Sequence, residues 1–81
     1  MKLETARRNF RKNGIIYGVS EKNGTPVYQV KFHNWEDAIE WYYIEERDFR
    51  ERHFISKRRS ENLENEGLPT WEEEEYYKAM Y

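Results

Sequence analysis

The chain has no cysteine, which excludes disulfides and thiolate-held metal centres and fits a reducing cytoplasm. No apolar run approaches the roughly 18 residues needed to cross a membrane, and the first residues lack the apolar block of a signal peptide. A soluble, cytoplasmic protein with no membrane association is the expectation. Histidine and aspartate occur only as His33, His53, Asp37 and Asp48. No glycine-rich phosphate loop, HExxH pair or nucleophile elbow is present. Nothing in the spacing of His33 and His53 brings them together for metal-free acid–base cleavage of RNA. An enzyme is therefore not expected, and neither a cofactor nor a metal is called for. Glu45, Glu46 and Asp48 have the oxygen donors of a hard-cation site but read better as solvated charges on a helix.

What is present is charge and aromatic surface. Eighty-one residues form one small domain, and at this size only about 60–65% of the unfolded surface becomes buried. Charged residues make up 37% of the chain for a net charge of only −2, because the two signs are segregated. Lys2, Arg7, Arg8, Arg11 and Lys12 face a single acid, Glu4, whereas Glu61 to Glu75 holds seven glutamates and no base. A basic head and an acidic tail suit head-to-tail self-association or two partner surfaces. Aromatics reach 17%, more than a small core absorbs, so some rings are expected at a contact surface.

Residues 3–12 carry Leu3, Ala6 and Phe10 at helical spacing and stop at Asn13-Gly14. Residues 15–33 alternate as two strands around Asn23-Gly24, the strongest short hairpin signal. Tyr28, Val30 and Phe32 share one face, and Pro26 suits a strand start or an edge. From Asn34 to His53 a long helix is expected, with Asn34 as N-cap and Glu36 and Asp37 in the first turn. Its stripe of Trp35, Ala38, Ile39, Tyr42 and Phe49 would cover the hairpin, and Trp41, Ile44 and Ile55 on the opposite side predict a homodimer interface. Glu46 interrupts that stripe and marks where it leaves the core, with Phe49 and Phe54 packing under a terminal helix. A bend or break is expected near Ser56. Gly67-Leu68-Pro69 stops the chain again, and Thr70 with Glu73 fits a capping box for a last helix carrying Tyr76, Tyr77, Met80 and Tyr81.

The expected architecture is thus α+β: a short N-terminal helix, a two-stranded antiparallel hairpin, a long central helix packed on it, and a short C-terminal helix. Residues 1–66 make the compact domain. Residues 67–81 form a capped helix docking on that domain or on a partner subunit.

Two basic clusters, Arg7, Arg8, Arg11, Lys12 and Lys57, Arg58, Arg59, with Tyr17 and Tyr28 as stacking rings, have the residue types that single-stranded nucleic acid needs. RNA is favoured over DNA. The layout from Gly14 to Asn62, with Tyr17-Gly18-Val19, Lys31-Phe32 and Trp35-Glu36-Asp37-Ala38, resembles AP2-type DNA-binding domains. That resemblance implies a three-stranded reading sheet, but the arginine-rich strand faces are missing, and no residue role is carried over. In style the chain is also similar to small accessory proteins of large lytic phages. This implies action in a bacterial host cell as an antitoxin-like inhibitor of a nuclease, toxin or defence system. The alternative is a protein-binding inhibitor or decoy that captures a host protein with its acidic C-terminal segment and no nucleic acid.

Overall fold

The computed structural model describes residues 1–44 and 49–80, without the side chains of residues 78 and 80. Helix α1 (Leu3–Asn13) leads into β1 (Ile16–Lys22) and β2 (Thr25–Phe32), followed by α2 (Trp35–Tyr43), β3 (Glu51–Ile55), α3 (Lys57–Asn65) and α4 (Trp71–Met80). The strands form one antiparallel sheet in the order β2-β1-β3. The class is α+β as expected, but the sheet has three strands and the central helix is short.

The hairpin closes through a two-residue turn whose residues, Asn23 and Gly24, have φ of 53° and 79°, the positive values that a type I′ turn demands. A register shift follows, so that Ser20 opposes Tyr28 and Glu21 opposes Pro26, leaving Val27 as the extra residue. This bulge decides the faces. Gly18 is thereby opposite Val30 and Phe54, and Ile16 opposite Phe32, on one side of the sheet. Tyr17 meets Lys31 and Ile55 on the other.

The first face holds the main core, in which Ala6 of α1 and Ala38 and Trp41 of α2 pack on Ile16, Tyr28, Val30, Phe32 and Phe54. Trp41 sits directly over Gly18. A β-carbon at Gly18 would come within 2.5 Å of Trp41 Cη2 and 2.6 Å of its Cζ3. The Trp41 Nε1–H donates to the Tyr28 hydroxyl at 2.9 Å, which satisfies the one polar atom of the buried indole. The second face holds a smaller cluster, Val19, Ile55 and Leu63, under α3.

Ser56 caps α3 by accepting from the Arg59 N–H at 3.2 Å. At the far end, Leu68 N–H donates to Leu63 O and Gly67 N–H to Glu64 O with Gly67 at φ 88°, a Schellman motif sealed by the Leu68 side chain. The chain then crosses the β2 edge, where Gln29 N–H donates to Pro69 O at 3.0 Å. Thr70 caps α4 by accepting from Glu73 N–H. Trp71 packs on the core, and Arg50 reaches Glu74 at 3.5 Å, so the start of the C-terminal segment docks on the same chain.

Several expectations are corrected. The helix from Asn34 ends at Tyr43, and residues 51–55 are a strand, because Phe54 and Ile55 are both buried, on opposite faces. Adjacent residues are buried on opposite sides by the two-residue period of a strand, not by a helix. Trp41 and Ile55 are 2% and 4% exposed and are core residues, so they form no dimer interface; of that set only Ile44 is exposed. Phe49 is 90% exposed and packs under no helix. The readings of Glu45, Glu46, Asp48 and Tyr81, and of the Met80 side chain, lie outside what is described. Among the described residues no helix is long and apolar enough to cross a membrane.

Gly18→Ala is expected to destabilise the protein by about 1–3 kcal/mol, through overpacking against the Trp41 ring. Urea denaturation should show a lowered midpoint at unchanged slope.

Candidate nucleic-acid interface

The end of α1, on the first face, and the start of α3, on the second, come together at the end of the sheet where β1 begins and β3 ends, and a groove of about 580 Å³ lies between them. α1 brings Lys12 with Asn9 and Asn13, the strands bring Tyr17 and Lys31, and the α3 cap brings Ser56 and Lys57. Among the described residues three lysines line the groove and no carboxylate does. Lys31 lies with its Nζ 5.9 Å from the centre of the Tyr17 ring, so ring and cation share one wall.

Each lysine is placed for a local reason. Ala6, Leu3 and Phe10 turn inward on α1, and Gly14, at φ 70°, ends the helix with its N–H on Phe10 O. That leaves Lys12 in the last turn, at the helix end that favours positive charge. Lys31 comes opposite Tyr17 through the hairpin register. Lys57 opens α3, whose orientation is held by the buried Ser60 hydroxyl donating to Gln29 Oε1 at 2.5 Å and by Arg59 on Glu21 at 2.7 Å.

α3 also breaks an electrostatic rule. α2 and α4 open with acids, Glu36 and Asp37 in one and Glu72, Glu73 and Glu74 in the other. α3 opens with Lys57, Arg58 and Arg59 and has no acid in its first turn. Cations at a helix N-terminus oppose its dipole, so positive charge is concentrated here at a cost to the helix. An anion in the groove would offset that cost.

Of the residues expected from the sequence, the fold brings Lys12, Tyr17 and Lys57 together. Arg7, Arg8, Arg11 and Arg58 are exposed. At about 100° per residue Arg7 and Arg11 fall on the flank of α1 away from the groove, and Arg8 lies one turn before Lys12 on the near flank. Arg59 is bound to Glu21. Tyr28 is 2% exposed and its hydroxyl is taken by Trp41, so it stacks on no base. Lys31 and the two asparagines were not anticipated. The signal for Lys31 lay in its position on the strand face away from Phe32.

The wall formed by Tyr17, Lys31 and Lys57 has a second cleft of about 350 Å³ behind it, and there Glu61 and Glu64 take part. Glu61 stands 3.9 Å from Lys57. The positive surface is therefore bounded on the α3 side by carboxylates. His33 and His53 are separated, one just beyond β2 and the other on β3, with β1 between those strands. The third strand follows α2, and helices pack on both faces of the sheet, so among the described residues there is no open three-stranded reading surface of the kind implied above. No protein-family model, curated protein or solved structure matches the chain.

Ser60→Ala removes the hydroxyl donor to buried Gln29 and should cost about 1–3 kcal/mol, whereas Arg59→Ala breaks a half-exposed ion pair and should cost under about 1 kcal/mol. Parallel thermal and urea denaturation of the two variants distinguishes these outcomes.

Proposed function

We propose that the protein is a non-enzymatic binder of single-stranded nucleic acid, RNA in preference to DNA, and that the strand lies in the groove between α1 and α3. The observation that carries this reading is the convergence of Lys12, Lys31 and Lys57 with Tyr17 on a groove that no carboxylate of the described residues lines. Lysines neutralise phosphates, and a tyrosine ring beside them offers a face to an unpaired base. Asn9 and Asn13 add amide donors and acceptors of the kind that engage a 2′-hydroxyl, which favours RNA.

The net charge of −2 and the carboxylates beyond Lys57 confine attraction to this patch, so affinity is modest and strongly salt-dependent. A small adaptor of this kind acts by occupying RNA. It suits an accessory protein that denies a nuclease or toxin its substrate in the host cytoplasm.

Fluorescence anisotropy with labelled oligouridylate tests the reading. Micromolar binding is expected at about 50 mM salt, with a log–log salt slope near −2, at about −0.7 for each of three phosphates neutralised. Combining Lys12→Ala, Lys31→Ala and Lys57→Ala should abolish the salt-dependent part, while Arg7→Ala with Arg11→Ala should leave most of it. Absence of binding at that salt concentration, or binding indifferent to the three lysines, refutes the assignment.

A further inference from the structure

We propose a second docking site on the opposite side of the β2 edge, which takes an extended basic peptide segment of a protein partner. β2 is an outer strand, with β1 on one side only. The other side carries one bridge, in which Gln29 pairs in parallel with Thr70 and donates its N–H to Pro69 O, and α4 then begins close beside β2. Backbone groups on a strand alternate in direction, so Lys31, two residues beyond Gln29, turns its own N–H and C=O the same way. Among the described residues no strand pairs with β2 there.

Below this open stretch lies an apolar groove of about 320 Å³ between α2 and α4, with Trp41, Trp71, Phe32 and Ile44 in its lining. Asp37, Glu40 and Glu72 are its carboxylates, and all three are exposed. The Lys31 side chain is over Tyr17 on the other face of the sheet, and among the described residues no ion pair joins these three carboxylates to a base. The partly exposed Trp71 indole and the exposed Ile44, with three carboxylates at the rim, select a side chain with an aliphatic stem and a cationic head. The adjacent strand edge selects an extended backbone, as in recognition by strand addition.

Charge complementarity therefore points to a basic, extended segment. The chain's own arginines Arg7, Arg8 and Arg11 are held on a helix, so a second copy presents them in the wrong geometry for a strand edge. Nucleic acid is repelled by the carboxylates. The site is independent of the lysine groove and of the reading built on it.

The test uses a capped peptide of alternating lysine and valine as probe, followed by calorimetry and tryptophan fluorescence. One-to-one saturable binding is expected, about ten-fold weaker after Asp37→Asn, Glu40→Gln and Glu72→Gln are combined. The same peptide with alternate backbone amides methylated should bind no better than the neutralised variant allows, because it cannot extend the sheet. An alternating glutamate and valine peptide should not bind. The substituted residues are exposed, and an unchanged urea-denaturation midpoint serves as the check that the variant is folded. Absence of saturable binding, or binding undiminished in the neutralised variant, overturns the proposal. Loss of self-association in that variant overturns it too, by assigning the groove to a second copy.

Discussion

The arrangement depends on one contact, the Trp41 ring seated on Gly18. Gly18 lies in the middle strand, and the missing side chain is what lets α2 approach the sheet closely enough to bury an indole to 2% exposure. Burying a tryptophan removes about 150–250 Å² from water, or about 4–6 kcal/mol of gross transfer free energy at the usual coefficient. The same ring contacts Phe32 and Phe54, with centroids 5.4 and 5.9 Å away, so it joins the outer strands across the central one. The Arg52 guanidinium, 5.9 Å from the ring centre, adds a cation from β3. Through this one side chain the hairpin, α2 and β3 become a single unit, and the opposite face is left for α3.

That contact also explains which parts of the fold were legible in the sequence. Turns and caps were: Asn23-Gly24, Gly14 after α1, Asn34 before α2 and Thr70 before α4 each do locally what their chemistry indicates. The inner face of Tyr28, Val30 and Phe32 was legible as well. The burial of Trp41 was not, because the hole that accepts it belongs to a residue 23 positions earlier and has no side chain to advertise it. β3 was hidden for a related reason. Its five residues follow a charged stretch of good helix formers, and only a sheet already in place gives Phe54 and Ile55 two faces on which to be buried.

The candidate site shows the same division. Lys12 and Lys57 were visible as members of basic clusters, but their meeting place depends on the bulge in the hairpin. Without the shift after Ser20, Tyr17 would oppose Val30, and Lys31 would leave the groove wall. One extra residue in β2 thus sets both the core and the positive surface. The charge segregation of the chain acquires a spatial meaning: lysines gather where α1 and α3 meet, and carboxylates rim the apolar groove between α2 and α4. Lys31 stands between the two, with its side chain toward the first and its backbone at the edge of the second.

The central claim, that the lysine groove receives a single strand, is tested most directly by following backbone amide resonances while oligouridylate is added. The account predicts shifts concentrated at Asn9, Lys12, Tyr17, Lys31, Ser56 and Lys57, with Asp37, Glu40 and Glu72 unmoved. Shifts centred on the groove between α2 and α4, or no shifts at all at low salt, would contradict it.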